Sequence, residues 1–390
     1  MECPVMNKTL KELLAMLIAF DTTSRESNLA MITAIETYLT SLGIASKRIT
    51  HPEGHKANLL ARIGPEIPGG IMLSGHTDVV PVDGQTWQFP PFALTEQQGR
   101  YYGRGTTDMK GFLACVLASL PAFLAQPLRL PLLLAFSYDE EVGCLGVRSL
   151  IDSLHAATDK PAWCLVGEPT GMQPVYGHKG KLAMRCQIHG LACHSAYTPD
   201  GVNAIEYAAT LINRLQQTAR QVIRQQNPAY SPPFTTLQVG PIQGGTALNI
   251  VPDYCQFDFE IRHLPEQEAQ PLVDELINYA QQTLLPEMQR ISPQSTIIFQ
   301  PLSSYPVLHT PLHAPFLTRL QQWCQQSMPH TVAFGTEGGL FAEAGITTLI
   351  CGPGDMAQGH KPDEYIAISQ LNACMSMLDA IRSWLSHPTD

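Results

Sequence analysis

The order of strand-like and helix-like segments changes at about residue 178, and this change limits the possible folds of the chain more than any other feature. Before it, strand patterns such as GGIMLSGHTDVV and RLPLLLAFSYDEE alternate with a helical pattern, MKGFLACVLASLPAFL, which is typical of an α/β layer with a largely parallel sheet. After it, the segments follow the order β-α-β-β-α-β, which is that of the ferredoxin-like split unit.

The α/β pattern resumes near residue 301, where helix, strand and helix patterns follow one another. We therefore predict an α/β domain built from residues 1–177 and 301–390, interrupted by an inserted ferredoxin-like α+β domain of residues 178–300.

Composition excludes several classes of function. The net charge of −10 and the absence of a basic run argue against a nucleic-acid surface. The sequence contains no run of about 18 apolar residues, so it predicts no membrane span. The N-terminus carries no leader pattern, and the ten cysteines form no CxxC pair. We therefore expect free thiols in a cytoplasmic protein without a membrane partner.

Three polar residues are candidates for metal binding because of their positions relative to predicted strands and helices. His76 and Asp78 are two residues apart, so on a strand they share a face, where an imidazole could bind a metal while a carboxylate orients it. The alternative is a hydrogen-bonded pair in a turn. Asp108 precedes a helix, where it could cap the N-terminus or bridge two cations.

Three consecutive acids, Asp139, Glu140 and Glu141, follow a buried strand pattern that ends at Phe136. Ligands of open α/β sheets bind beyond the carboxyl ends of the strands, and divalent cations there would relieve the repulsion between neighbouring carboxylates. One glutamate can then bind metal while its neighbour moves protons. We expect local main-chain N–H groups to hold Asp139.

Five side chains from separate strand ends and loops complete a paired metal site, with Asp108 as the bridge. Mixed imidazole and carboxylate ligands suit zinc, with Co²⁺ or Mn²⁺ as substitutes. The predicted ligands of the two ions are His76, Asp108, Glu141, Glu168 and His360.

The ordered motifs GHTDVVP, GRGTTDMKG, DEEVG, GEPT, CHSAYTP, NIVP, IRHLP and GHKPDEY resemble those of the co-catalytic zinc aminoacylase and carboxypeptidase family over essentially the whole chain. The resemblance implies a zinc-binding catalytic α/β domain and an inserted lid that often forms a homodimer. It also implies that one zinc binds His76, Asp108 and Glu168. The second would bind Asp108, Glu141 and His360.

The resemblance further implies three catalytic roles. Asp78 would orient His76, Glu140 would be the general base, and His194 would stabilise the oxyanion. A surface histidine is the alternative for His194. The departure from the family pattern at Cys193 puts the packing of the inserted domain in doubt.

Four further residues are candidates for substrate contact. Arg262 could grip a carboxylate, with a strand-end ion pair as the alternative, and Asn249 could instead form a turn. Thr336 and Glu337 lie in a glycine-rich stretch, FGTEGGLF, that predicts a flexible loop or a helix cap. As part of such a loop, Glu337 could pair with a substrate amine.

Within the family, the loops are most similar to those of enzymes that remove the acetyl group from N2-acetyl-L-ornithine. Desuccinylation of succinyl-diaminopimelate and broader hydrolysis of N-acyl amino acids are the alternatives. Two other readings have less support: a binding protein that has lost turnover, against which the complete ligand set argues, and a nucleotide-binding enzyme, for which no GxGxxG follows a strand.

Overall fold

The structure is a computed structural model that describes residues 8–155 and 159–388. The predicted lack of a leader rests partly on residues 1–7, which lie outside the described residues. The chain forms two compact units. The first comprises Met1–Gly177, Leu308–Thr331 and Thr336–Asp390, and the second comprises His178–Val307 and Val332–Gly335.

The first unit begins with an alternation of helices and strands, as the sequence predicts. Its helices and strands before the insertion are α1 (Leu10–Ile18), α2 (Leu29–Ser41), β1 (Ser46–Thr50), β2 (Ala57–Ile63), β3 (Ile71–His76), β4 (Thr95–Gln97), β5 (Arg100–Tyr102), α3 (Lys110–Leu124), β6 (Leu132–Ser137), α4 (Val147–His155), β7 (Trp163–Pro169) and β8 (Val175–His178).

The second unit contains the predicted β-α-β-β-α-β order. Its elements are β9 (Gly180–His189), α5 (Ala204–Val222), β10 (Thr236–Gly244), β11 (Tyr254–His263), α6 (Gln270–Tyr279), a π-helical turn (Ala280–Leu284), α7 (Leu285–Ile291) and β12 (Thr296–Tyr305). A short 3₁₀ helix, Ser195–Asp200, follows β9.

The chain then returns to the first unit. The remaining elements are β13 (Leu308–His309), α8 (Pro315–Cys324), β14 (His330–Val332), α9 (Gly338–Glu343), β15 (Thr347–Gly352), a 3₁₀ turn (Met356–Gln358), β16 (Tyr365–Ala367) and α10 (Ile368–Ser386).

The main sheet of the first unit has the strand order β1-β2-β6-β3-β7-β15-β8-β13, with β14 paired to β8. β6, β3, β7 and β15 are parallel neighbours, whereas β1 and β2 extend the sheet in antiparallel fashion. Every residue of β3 and β6 is buried, which explains their continuous apolar runs. The four parallel strands therefore bring their carboxyl ends to one edge.

The sheet of the second unit is antiparallel, in the order β10-β11-β9-β12. Its core is a separate apolar cluster that includes Phe257, Leu211 and Leu276. This topology confirms the predicted fold class of an α/β domain interrupted by a ferredoxin-like α+β domain. β12 continues to Tyr305, so the predicted boundary at residue 300 falls inside a strand; the functions assigned to the parts stay predictions.

Two further observations concern the described residues as a whole. Every cysteine in residues 8–155 and 159–388 is a free thiol. Within the same residues, no helix combines the length and the apolar character needed to cross a membrane.

Candidate paired metal centre

Five predicted ligands meet at the carboxyl edge of the main sheet. His76 is the last residue of β3, Glu168 lies near the end of β7, and Glu141 follows β6. Asp108 lies two residues before α3, and His360 lies in the loop between β15 and β16. The parallel order of these strands therefore explains why residues far apart in the chain converge.

Asp108 faces both histidines, one with each carboxylate oxygen. Its Oδ1 lies 3.0 Å from His76 Nε2, and its Oδ2 lies 3.1 Å from His360 Nε2. Glu168 Oε1 is 3.6 Å from His76 Nε2, and Glu141 Oε2 is 3.1 Å from His360 Nε2. The ligand atoms thus form two triplets that share Asp108, with atoms in each triplet within 4.8 Å of one another.

Asp108 does not cap the helix that follows it. Met109 occupies the N-cap position of α3, and no side chain caps that end of the helix. Capping of α3 by Asp108, the alternative for this residue, is therefore wrong. The two carboxylate oxygens of Asp108 contact the imidazoles of His76 and His360 instead.

Buried negative charge is concentrated at this edge. Burial raises the pKa of Glu141 to about 7 and, with the charge of Asp108, raises that of Glu168 well above its ordinary value. Hydrogen bonds with Asp108 and Glu141 raise the pKa of His360 to about 10. Divalent cations would remove this crowding of carboxylates by supplying the missing positive charge.

The residues fit such cations in detail. Glu141 Oε1 is buried and has no hydrogen-bond partner among the described residues, which is costly unless an ion occupies its lone pairs. His76 Nδ1 lies 2.9 Å from the main-chain carbonyl of Asp78, so Nδ1 donates and Nε2 is free for a metal. Nitrogen and carboxylate donors together suit zinc, cobalt or manganese.

Glu140 is half-buried beside the cluster but belongs to neither triplet. Its Oε1 accepts a hydrogen bond of 3.3 Å from the Cys144 thiol. Burial, reinforced by the charge of Glu141, raises the pKa of Glu140 well above its ordinary value. Glu140 therefore lies next to a candidate ion site without being one of its ligands, and its role as general base stays a prediction.

Asp78 differs from the prediction in one respect. β3 ends at His76, so the two residues do not share a strand face, and the Asp78 carboxylate is 3.6 Å from His76 Nδ1. Its oxygens instead accept hydrogen bonds from the main-chain N–H groups of Glu140 (3.1 Å) and Glu141 (3.3 Å) and from Ser24 Oγ (2.7 Å). The Asp78 carboxylate therefore positions the two glutamates, while its carbonyl orients the imidazole.

Asp139 is held by a lysine rather than by local N–H groups, so that expectation is wrong. Lys56 Nζ lies 2.6 Å from Asp139 Oδ1, and both side chains are largely buried. Local sequence gave no sign of this pair because 83 positions separate its members.

A buried carboxylate that sequence reasoning missed supports the bridging residue. Glu364 Oε1 accepts hydrogen bonds from the N–H groups of Thr107 and Asp108, at 2.9 and 3.1 Å, and Oε2 pairs with Arg104 at 2.6 Å. Both charged residues lie in motifs of the sequence, GRGTTD and KPDEY, but nothing in either motif reveals that they pair.

Thr336 and Glu337 lie in the first unit and are buried. Thr336 Oγ1 accepts a 3.0 Å hydrogen bond from Gly338 N at the start of α9, although the N-cap residue of that helix is Glu337, whose side chain makes no cap. Glu337 Oε2 accepts a hydrogen bond of 3.3 Å from Ser74 Oγ, and burial raises the pKa of Glu337 to about 7. Their burial argues against a flexible loop, whereas the predicted contact of Thr336 and Glu337 with substrate stays a prediction.

The other candidates lie in the second unit. His194 is exposed, and its Nδ1 accepts a 3.1 Å hydrogen bond from Ala196 N. The main chain of Asn249 is close to it, since Ser195 N donates to the Asn249 carbonyl at 3.0 Å. Arg262 forms the strand-end ion pair that we considered as an alternative, with Glu260 at 3.0 Å, and also contacts Tyr305 Oη at 3.3 Å.

Comparison with known proteins agrees with this geometry. Residues 72–382 match the sequence profile of peptidase family M20/M25/M40. An acetylornithine deacetylase of Myxococcus xanthus is 34% identical over 381 residues, which are 96% of each chain. Another, of Edwardsiella ictaluri (strain 93-146), is 36% identical and covers 88% of this chain and 87% of its own.

The fold has relatives among solved structures. The M20 family metallo-carboxypeptidase of Sulfolobus solfataricus superposes with a TM-score of 0.76 at 17% identity, over 97% of this chain and 99% of its own. The fold and the site define a metal-dependent hydrolase. More particularly, the chain belongs to peptidase family M20/M25/M40.

Proposed function

We propose that the protein hydrolyses the amide bond of N2-acetyl-L-ornithine, releasing L-ornithine and acetate, with two zinc ions at the paired centre. The observation that carries the chemistry is the carboxylate of Asp108, shared between two imidazole-containing triplets, with the unliganded Glu140 beside them. This substrate is favoured by the relatives named acetylornithine deacetylase, which match this chain over most of their own length.

The ions would be held by His76, Asp108 and Glu168 on one side and by Asp108, Glu141 and His360 on the other. When bound, two such ions polarise a carbonyl group and lower the pKa of water. Asp78 holds Glu140 and Glu141 at fixed positions through their main-chain N–H groups.

Glu140 takes a proton from the attacking water and returns it to the departing ornithine nitrogen. Burial favours this role because the raised pKa of Glu140 makes its carboxylate a stronger base than an exposed glutamate. Water adds OH to the acetyl carbon and H to the nitrogen, so the products balance as acetate and amine.

The second unit would supply two further functions. His194 would donate a hydrogen bond to the oxyanion, and Arg262 would bind the α-carboxylate of the substrate through its planar fork. Asn249 stays a weaker candidate for substrate contact. A homodimer and a cytoplasmic location also stay predictions.

A substrate panel tests this proposal. Purified zinc-loaded protein is assayed with N2-acetyl-L-ornithine, N-acetyl derivatives of neutral amino acids, and N-succinyl-diaminopimelate. We expect kcat/KM to be highest for acetylornithine. Equal values for many neutral acyl amino acids would support a broad acylase instead, and preference for the succinyl compound would support a desuccinylase.

A further inference from the structure

A hairpin turn outside the paired centre brings two imidazoles and a carboxylate together. Residues 51–56 connect β1 and β2, and His51, Glu53 and His55 place one ligand atom each within 4.8 Å of the others. None of the three belongs to the triplets around Asp108. We propose that this turn binds an additional divalent transition-metal ion of the zinc class.

The main chain of the turn is well defined. Gly54 N donates to the His51 carbonyl at 2.8 Å, and His51 N donates to the Lys56 carbonyl at 2.8 Å. Pro52 follows the first residue of this β-turn, where its ring presets φ, and Gly54 adopts a φ of +79°, which glycine accommodates without strain. The sequence His-Pro-Glu-Gly-His therefore positions its three ligands before any ion arrives.

Neighbouring segments anchor the turn on both sides. Ser27 Oγ donates a 2.5 Å hydrogen bond to the His55 carbonyl, and the buried Lys56 pairs with Asp139. The His51 ring also packs edge-on against Tyr138, with 5.8 Å between ring centroids. These contacts reduce the main-chain entropy that ion binding must overcome.

The side chains converge without an ion. The His51 and His55 rings are edge-to-face with centroids 5.1 Å apart, and His55 Nδ1 is 3.5 Å from Glu53 Oε2. Glu53 N donates a long hydrogen bond of 3.2 Å to His51 Nδ1. An ion bound at His51 Nδ1 would take the place of this hydrogen bond. An ion bound at Nε2 would instead shift the ring proton to Nδ1, and the hydrogen bond from Glu53 N would again be lost.

The donor set selects the class of ion. Two imidazole nitrogens and one carboxylate oxygen favour Zn²⁺, Ni²⁺ or Cu²⁺ over Mg²⁺ and Ca²⁺, which prefer oxygen ligands. Three protein ligands leave a further position for water. The Glu53 side chain is 75% exposed and that of His55 44% exposed, so the ion would be in contact with solvent and exchange more readily than ions at the paired centre.

The zinc content of full-length variants at saturation tests the proposal. Wild-type protein, the double variant His51→Asn/His55→Asn, and a control with two exposed histidines replaced, His313→Asn/His387→Asn, are dialysed against buffered Zn²⁺ and analysed for metal. We expect wild type and control to bind one more ion per chain than the double variant. This difference does not depend on how many ions the paired centre holds.

Equal zinc content in all three proteins would overturn the proposal. Glu53→Gln should lower the affinity for the additional ion roughly tenfold or more while leaving the fold intact. If the double variant does not fold, zinc-edge anomalous scattering from wild-type crystals decides the matter. A peak between His51 and His55 supports the site, and its absence at saturating Zn²⁺ rejects it.

Discussion

The two large sheets differ in where their charged residues lie. β3 and β6 of the first unit are buried at every position, so polar chemistry is confined to the ends of the strands. β11 of the second unit alternates between buried and half-exposed positions, and its charged residues form pairs such as Arg185–Asp258 and Arg262–Glu260.

The difference shows how the same residue types acquire different functions. Charges on the second sheet are neutralised by a neighbouring side chain and are partly hydrated, so each pair contributes little energy. Carboxylates at the edge of the first sheet outnumber the cationic groups around them and are buried, so they require cations from solution. Substitutions at the edge should therefore have large effects, and matched substitutions on the second sheet should have small ones.

The largest effect is expected for Glu140→Gln. Without a base to accept the water proton, kcat should fall by about 10²–10⁴-fold while metal content stays unchanged. Asp258→Asn, on the second sheet, is the matched control and should alter kcat less than about twofold. Activity of Glu140→Gln near that of wild type would remove the general base from the mechanism.

Glu337→Gln should stabilise the metal-free protein at alkaline pH. Burial raises the pKa of Glu337 to about 7, so the folded state retains a proton that the unfolded state releases near its ordinary value, and stability falls as pH rises through this window. The neutral variant avoids this loss, with a gain of roughly 2–3 kcal/mol at pH 8 and less than about 1 kcal/mol at pH 5.

Urea unfolding at the two pH values measures this difference in chelator-treated protein. Glu343→Gln, at the exposed last position of α9, the helix that Glu337 precedes, is the control and should show no such dependence. A gain for Glu337→Gln that is equal at pH 5 and pH 8 would show that the buried charge is not its cause.

Asp78→Asn should have an intermediate effect. The amide keeps only one acceptor oxygen, so one of the two hydrogen bonds from the main-chain N–H groups of Glu140 and Glu141 is lost and the other goes to a neutral acceptor. We therefore expect kcat to fall by roughly 10–100-fold, the range for residues that orient metal ligands. Ser24→Ala, which removes a hydroxyl donor to the same carboxylate, should reduce kcat less. An unchanged kcat and metal affinity for Asp78→Asn would contradict the positioning role.

The smallest effect is expected on the second sheet itself. Arg262→Ala should raise KM for acetylornithine roughly tenfold, the loss expected for a charge-assisted hydrogen bond, with little change in kcat. Arg185→Ala on the same sheet should leave both constants unchanged. An equal effect of the two substitutions would mean that Arg262 serves only the ion pair with Glu260.

Sequence reasoning succeeded where the signal is local. The apolar runs of β3 and β6 predict buried strands, and polar residues directly after such strands predict the converging edge. The order of elements between residues 178 and 305 likewise predicts the topology of the second unit, because each element has its own periodicity.

It failed where partners are distant in the chain. Lys56 with Asp139, and Arg104 with Glu364, are pairs that periodicity cannot reveal, because each member has the same local pattern as a solvated surface charge. The burial of Glu337 was missed for a related reason. A glycine-rich stretch resembles a mobile loop until the neighbouring strands cover it.

The central claim is that Asp108 bridges two ions. Zinc-edge anomalous scattering from crystals of the wild-type protein tests it most directly. We predict two peaks on opposite sides of the Asp108 carboxylate, about 3.5–4 Å apart, one near His76 and the other near His360. A single peak, or none, beside Asp108 in zinc-saturated crystals would contradict the account.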